Sequence, residues 1–369
     1  MQFKKFSETF GRLIMADEEL KENRPPSPVD LSRAKLLNIT RDTYLESQEK
    51  GLTLSELLET QEYDPSPAGS MLDAFDRQLA AAGIKVNGRN AATVEMFYRG
   101  APVLMPEFIM REIRKGMSLH PDLNKLTASS TVINSNRYTP FYIQTSPDDT
   151  DWSLRPIGDS AEIPSILVNE QKHTITIPDY GVSLKATYKA LRHRSTSQFK
   201  VLLWYIGYRL QADKNGLLVN AIINGDGNSN PAPISNTDIS GVFDYDDLVK
   251  FYNEFYPFEM NALIVHKNVL RTILTMTEFK DPMAGFRFQG AGEMVSPLGA
   301  NLVRCDEVPI DYVIGLDSRF AIEEVISQPL MVEFDKIIEQ KIEEAVVSES
   351  IAFAKIVESG SRILDTIWT

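Results

Sequence analysis

Apolar positions near the start of the chain fall at helical spacing. Phe3, Phe6, Phe10, Leu13 and Ile14 recur every three or four residues and predict a short amphipathic helix, packed on the protein or on a neighbour. Residues 17–30, DEELKENRPPSPVD, break the pattern with charge and proline and predict an extended linker. Asp30 stands as an N-cap before Leu31, Ala34, Leu37, Tyr44 and Leu45. Thr53-Leu-Ser-Glu56 fits a capping box, since a hydroxyl and a carboxylate three residues apart can each bond the other's backbone N–H. After a break at Asp64-Pro-Ser-Pro-Ala-Gly69, one apolar face runs through Met71, Leu72, Phe75, Leu79 and Ala82, with Gly83 to end the helix. Short helices joined by proline-rich breaks predict an arm over the first hundred residues rather than a compact domain. Asn87-Gly88 is a turn, and Pro106 opens a helix whose stripe is Phe108, Ile109, Ile113 and Met117.

The period then changes. PFYIQ (140–144) and His173-Thr-Ile-Thr-Ile-Pro178 read as strands, the second alternating and rich in β-branched residues, and Val182 to Leu191 continues as a strand. A polar loop, SPDDTDWSLRPIGDS, lies between them. A long two-stranded excursion of this kind is marginal in water and needs a surface to rest on. The longest helix follows, from about Ser197 to Ile223, with a stripe through Phe199, Leu202, Leu203, Ile206, Leu210 and Leu217, interrupted by Asp213. It is roughly 40 Å long. Gly207 and Gly216 weaken it without ending it. Beyond it, Asp247–Tyr256 and Lys267–Thr277 are helical and Asn261–Val265 is a buried strand. Val303, Val308, Tyr312–Gly315 and Phe320–Glu323 read as strands of one small mixed sheet, and Leu330 to Val357 is strand-rich.

Composition narrows the function. The 369 residues are 43% hydrophobic and 24% charged, enough for a sizeable core. A net charge of -13 argues against a surface that wraps nucleic acid. The single cysteine, Cys305, excludes an intramolecular disulfide and makes a reducing cytosol the default. No run is long and apolar enough for a signal peptide or a membrane span.

Catalytic chemistry is hard to assemble. The glycine-rich stretch Ile223-Asn-Gly-Asp-Gly-Asn-Ser-Asn-Pro231 resembles a ligand loop, and Asn224, Asp226 and Asn228 fit the first positions of a calcium loop. Ser229 stands where the glycine belongs and Ser235 where the bidentate glutamate belongs, so the charge for calcium is missing. Phosphate-loop and dinucleotide patterns fail as well. The stretch is therefore read as a helix end, with Gly225 or Gly227 left-handed and Pro231 preventing resumption. His120, His173, His193 and His266 lie too far apart for a zinc motif. His266 is read as structural or capping. Arg304 could lower the Cys305 pKa, but Asp306 and Glu307 counter it. Glu323-Glu324 and Glu343-Glu344 are read as solvated or ion-paired surface residues. No cofactor, metal or catalytic residue is expected.

One charge contrast remains. Tyr180 to Ala212 holds no acidic residue but carries Lys185, Lys189, Arg192, Arg194, Lys200 and Arg209. Ala321 to Ser350 holds eight acidic residues against two lysines. These are two faces that simply differ, or complementary surfaces that meet between copies of the chain, or a basic stretch facing nucleic acid. On the second reading the candidate contacts are Lys185, Lys189, Arg192, Arg194 and Lys200 against Glu333, Asp335, Glu339 and Glu343.

The helix MPEFIMREIRKGM, the segment HTITIPDYGVSLKATYKALRHRSTS, the long helix FKVLLWYIGYRLQADKNGLLVNAIINGDG and the region to RILD resemble, in order, the elements of a tailed-phage major capsid protein of the Hong Kong 97 type. The resemblance covers roughly residues 100–369. It implies an α+β fold. An N-terminal arm (1–102) would be followed by the start of a peripheral domain (103–133), an extended hairpin loop (134–193) and a spine helix (194–231). An axial domain (232–327), peripheral-domain strands (328–357) and a C-terminal return to the axial domain (358–369) would complete the chain. It also implies a non-enzymatic subunit of an icosahedral or prolate head, built from pentamers and hexamers and enclosing double-stranded DNA. Portal protein, with scaffolding or decoration proteins, would be its partners, with no membrane; assembly would occur in the host cytoplasm and the product would be the virion. Some relatives cross-link a hairpin lysine to an asparagine; Lys172 and Lys185 are present, but no motif decides it. An encapsulin-like shell enclosing a cargo enzyme is the alternative within the fold, and an α/β enzyme the alternative outside it.

Overall fold

The computed structural model describes residues 37–60, 72–88, 90–120, 126–143, 156, 173–187, 194–280, 297–337 and 342–368. The N-terminal amphipathic pattern, the linker, the proline break at 64–69, the loop 145–155 and the glycine-bearing loop 281–293 lie outside them. The chain divides into two compact units, residues 1–108 with 189–199 and residues 109–188 with 200–369.

In the first unit, helices α1 (Arg41–Glu49), α2 (Leu54–Thr60), α3 (Ala74–Ala81) and α4 (Val94–Gly100) are joined by capped turns. The capping box before α2 forms: Glu56 accepts the Thr53 N–H at 2.8 Å, and the Thr53 hydroxyl accepts the Glu56 N–H at 3.3 Å. Gly83 follows α3 with φ +69. Of the helix expected from Asp30 through Leu45, residues 30–36 lie outside the described residues; residues 37–40 are not helical, α1 runs from Arg41, and Leu45 is 45% exposed. Leu54, Leu57, Leu58, Phe75, Leu79 and Phe97 are buried, and Phe97 meets Phe108 edge-on at 5.1 Å between ring centroids. The described part of the expected arm thus carries a core of its own. Residues 194–196 are clipped to it, through Val94 N–H to the Arg194 carbonyl at 3.0 Å and Thr196 N–H to the Ala92 carbonyl at 2.9 Å.

The second unit is built on two sheets. Strands β1 (Ser129–Val132), β2 (Arg137–Tyr138), β3 (Ile175–Thr176) and β4 (Asp179–Thr187) follow α5 (Met105–Met117), and α6 (Thr196–Asn224) comes next. Then come β5 (Ile234–Asn236), α7 (Tyr245–Asn253), β6 (Ala262–Val265), α8 (Lys267–Thr275), α9 (Thr277–Lys280) and β7 (Asn301–Arg304). Strands β8 (Tyr312–Leu316), β9 (Ile322–Ile337), β10 (Ile342–Lys355) and β11 (Ser361–Asp365) close the order. One sheet runs β1-β9-β10-β4, the other β5-β11-β8-β6-β7, and β2 pairs with β3. Residues 140–143 of PFYIQ form no strand: Ile143 makes only an isolated bridge to Val357, and Gln144 lies outside the described residues. Phe320–Glu323 was expected in the small mixed sheet, but β9 starts at Ile322 and belongs to the four-stranded sheet. The limb β4 rests on β10 of the same chain, antiparallel, over Asp179–Thr187.

Strand β6, Ala-Leu-Ile-Val, is buried throughout, as a central strand covered on both faces must be. Its alternation splits the core. Ala262 and Ile264 join Leu218, Ile222 and Ile314 on one side, while Leu263 and Val265 join Leu248, Phe251, Phe255 and Ile273 on the other. Gly315 makes room for the aromatic pair, since a Cβ there would stand 2.6 Å from Phe255 Cζ.

The long helix has its expected span, and its buried face is the expected one only in part: Phe199 and Leu203 are buried and Ile206, Leu210 and Leu217 half-buried. Leu202 is 45% exposed and Asp213 is exposed, while Lys200, Leu203, Gly207, Gln211, Asn215, Leu218 and Ile222 are buried. The reason is its neighbour. A Cβ on Gly207 would lie 2.1 Å from the Ile113 carbonyl oxygen, and one on Gly116 would lie 2.2 Å from the Trp204 carbonyl oxygen. The two helices cross backbone to backbone, and both glycines are needed for that approach. Glu112 sits beside the crossing, 3% exposed, accepting from Trp204 Nε1 at 2.7 Å and pairing with Lys200 at 3.3 Å.

Candidate functional site

The stretch 225–231 is a joint. Gly225 and Gly227 have φ of +83 and +97, and Ser229 has φ +58. At Gly225 a side chain would also strike Asn230 Oδ1, 2.7 Å from where its Cβ would be. Both carboxylate oxygens of Asp226 are engaged internally. One accepts from the Asn228 N–H at 3.3 Å and its side-chain amide at 2.8 Å; the other accepts the Lys355 N–H at 3.1 Å. Asn230 Oδ1 accepts the Asp226 N–H at 3.1 Å. The loop binds itself and β10, as the reading of a helix end requires.

Lys355 anchors this joint from below. It has no exposed surface, and its ammonium donates to the Asn230 carbonyl at 2.9 Å. Burial lowers its pKa to about 8, against the opposing pull of Asp226 and Glu358. Tyr142 is hydrogen-bonded to Asn230 of the joint: burial, then Glu358 and Asp226, push its phenol up to about 12. Tyr142 also stacks on His173 at 4.4 Å, and Ile143 is tied by its N–H to the Ile356 carbonyl at 2.7 Å. The joint is therefore held to the end of β10 by Lys355, and Tyr142, stacked on His173, reaches the same joint through its hydrogen bond with Asn230. The sequence reading passed over Lys355, because nothing local marks a lysine whose partners lie 125 and 129 residues away.

The predicted charged contacts divide. Lys185 pairs with Glu344 of its own chain at 3.2 Å, across the β4–β10 register. Lys200 is buried against Glu112, and Lys214 pairs with Glu349 at 2.8 Å. Part of the charge contrast is thus used within the chain, holding the basic limb to the acidic strand. Arg194 and Glu333 are exposed. Asp335 and Glu343 stand in the strands, with backbones paired to Glu344 and Lys336. Lys189, Arg192 and Glu339 lie outside the described residues.

Other sequence candidates prove structural. Glu323 and Glu324, expected at the surface, are 6% and 7% exposed. The Tyr138 hydroxyl donates to Glu323 at 3.1 Å, and the Ser130 hydroxyl donates to Glu324 at 3.0 Å. Burial, and next the Glu323 charge, raise the Tyr138 pKa. Cys305 is buried and donates to Glu307 at 3.2 Å; burial first, then that carboxylate, push the thiol up to about 12. Arg304 does not lower it, being paired with Asp306 at 2.6 Å. His266 caps α8, its Nδ1 accepting the Asn268 N–H at 3.3 Å. His193 lies outside the described residues. Among the described residues there is no group of three or more His, Cys, Asp or Glu that could hold a metal, and no helix long and apolar enough to cross a membrane.

No family model and no curated protein matches the chain. Solved structures do. The virus-like particle from Pyrococcus furiosus matches with a TM-score of 0.50 at 13% identity, over 71% of this chain and 99% of its own. The capsid of the cyanophage P-SCSP1u matches at 0.49 and 12% identity, over 66% and 87%. The capsid of an empty GTA particle matches at 0.48 and 14% identity, over 67% and 90%. The fold is that of shell-forming proteins, mixed helices and sheets of the Hong Kong 97 capsid type.

Proposed function

We propose that the chain is a structural subunit of a closed protein shell, a phage head of pentamers and hexamers that encloses double-stranded DNA. The observation that carries the shell reading is the match to the Pyrococcus furiosus particle, whose whole length is covered by this chain's fold. A second support is architectural. The chain invests long elements, such as the limb Asp179–Thr187 and the strands Ile322–Ile337 and Ile342–Lys355, in a thin four-stranded sheet. Such a layer gains from burial on neighbouring copies, and many weak contacts act together in a closed array.

On this reading residues 1–102 are the arm, 134–193 the extended loop, 194–231 the spine and its joint, and 232–327 the axial domain. Residues 103–133 and 328–357 form the peripheral domain, and 358–369 return to the axial one. Among the described residues, Arg194, Glu333 and Lys185 are predicted copy-to-copy contacts with exposed side chains, Lys185 being paired with Glu344 of its own chain. The function is mechanical, without a cofactor or a catalytic step. Portal protein would be the natural partner, and the finished particle a virion assembled in the host cytoplasm.

An encapsulin-like shell would use the same fold around a protein cargo; the holo-SrpI encapsulin complex is among the structural matches. Purified particles separate the two. A nuclease-protected DNA genome supports the phage head. A copurifying enzyme inside DNA-free shells would replace it with the cargo compartment. For the charge contacts, Arg192→Glu with Arg194→Glu should cut particle yield while leaving helical circular dichroism unchanged; particles at normal yield would refute that role.

A further inference from the structure

Strand β4 (Asp179–Thr187) is the outermost strand of the four-stranded sheet, in the order β1-β9-β10-β4. Its inner side is paired to β10 in unbroken register, from Asp179 opposite Ser350 to Thr187 opposite Ile342. Its outer side has no strand partner among the described residues, so alternate backbone N–H and C=O groups point out of the sheet. Natural edges are guarded by short length, proline, bulges or charge. This strand is 9 residues long, contains no proline, runs against β10 without a bulge, and carries Lys185 as its sole cation. Apolar side chains reach the edge as well: Tyr180 is 40% exposed and Val182 39%.

We propose that this edge is completed by the same edge of a second copy, antiparallel, about a two-fold axis at Val182. The strand selects that occupant because it is complementary to itself in this register. Asp179 falls opposite the partner's Lys185, and Lys185 opposite the partner's Asp179. Tyr180 falls opposite the partner's Leu184, and Gly181 opposite the partner's Ser183. Strand alternation puts Tyr180, Val182 and Leu184 on one face, where the apolar groups of both copies meet, and puts both ion pairs on the other face. An axis at Ser183 would instead set Lys185 against Gly181 and Asp179 against Thr187, leaving neither charge opposite its counterpart. Lys185 keeps Glu344 of its own chain at 3.2 Å, and its ammonium has three donors, enough for a second carboxylate. The two sheets would become one continuous sheet across the axis. Such a contact is isologous and suits the joining of rings into a closed array; the inference rests on the shell reading to that extent. A strand from another protein, or another segment of this chain, is the competing occupant.

The test is carbodiimide cross-linking of the purified full chain, read by peptide mass spectrometry. Asp179 and Lys185 of one strand stand about 20 Å apart, so a zero-length amide between them forms only between copies. The Lys185–Glu344 pair of one chain is the internal control. The Lys185–Asp179 link should appear in a band of twice the chain mass. A second measurement reads the axis itself. Paired Cα atoms in an antiparallel ladder lie about 4.5–5.5 Å apart, within disulfide reach. Val182→Cys should therefore give a disulfide dimer under mild oxidation, the native Cys305 being buried. Tyr180→Cys, about 14 Å from its symmetry mate, should give at least tenfold less. On the Val182→Cys background, Asp179→Lys alone and Lys185→Asp alone should each cut the dimer at least tenfold, and mixing the two variants should restore it. A missing Lys185–Asp179 link where the control link forms, equal yields at positions 180 and 182, or no rescue on mixing would each overturn the proposal. Particles that form without the link would remove this contact and leave the shell reading standing; linked dimers that never close into particles would do the opposite.

Discussion

Lys355 has no exposed surface, yet its ammonium reaches the backbone carbonyl of Asn230 at 2.9 Å and holds the end of the long helix to the last long strand. Its pKa of about 8 lies below the ordinary lysine value of 10.5. The sign follows. Below pH 8 both folded and unfolded chains carry the proton, and the folded state bears the whole desolvation cost. Between 8 and 10.5 the unfolded chain holds more protons than the folded one, so stability rises with pH across that window. Cys305 works the other way above 9, because its folded thiol titrates near 12. The comparison that isolates the lysine is wild type against Lys355→Met. The variant should lose the rising component between pH 8 and 10.5 in urea unfolding midpoints, and parallel curves would contradict the assignment.

Gly207 and Gly216 sit in the same helix and predict opposite outcomes. Alanine at Gly207 drives a Cβ to 2.1 Å from the Ile113 carbonyl oxygen. The helices must separate, at about 3 kcal/mol. Alanine at Gly216 meets only Glu307 Cγ at 3.4 Å, the far side of a flexible chain. It should stabilise by about 0.5–1 kcal/mol through helix propensity. Chemical denaturation of the two single variants checks both signs.

Glu112 predicts a non-additive pair. Its carboxylate and the Lys200 ammonium are both buried, 3.3 Å apart. Glu112→Ala takes the carboxylate away from the buried Lys200 cation and from the Trp204 N–H, a loss of about 3–5 kcal/mol. Adding Lys200→Met should restore about 1–4 kcal/mol of it, since an apolar side chain of similar volume carries no charge to desolvate. Equal losses for the single and double variants would show that the ion pair is not what the site depends on.

The sequence pattern made much of this visible, and its failures have a common cause. The capping box at Thr53 and Glu56, the span of the long helix and the joint at Gly225–Pro231 are local, written in residues three to nine apart, and the structure has them. Which face of the long helix is buried was legible only in part, at Phe199 and Leu203. The stripe through Leu202 is the more apolar, but the crossing at Gly116 and Gly207 selects the face with Lys200, Gln211 and Asn215. Glu323 and Glu324 were misplaced for the same reason: the hydroxyls that satisfy them sit on residues 130, 131 and 138, far off in the chain. The charge contrast was visible from sequence, but not that Lys185 meets Glu344 of its own chain.

The joint also predicts indifference to calcium. Both Asp226 oxygens already accept N–H groups, and the loop supplies no second carboxylate. Millimolar calcium should leave the thermal midpoint unmoved. A rise of several degrees would mean that the loop opens to bind the ion.

The central claim is that this fold makes a shell, and electron microscopy of the expressed full chain over a range of concentrations and salt tests it directly. The account predicts closed particles, or the five- and six-membered rings from which they are built. Monodisperse monomers at every concentration and salt condition would contradict it.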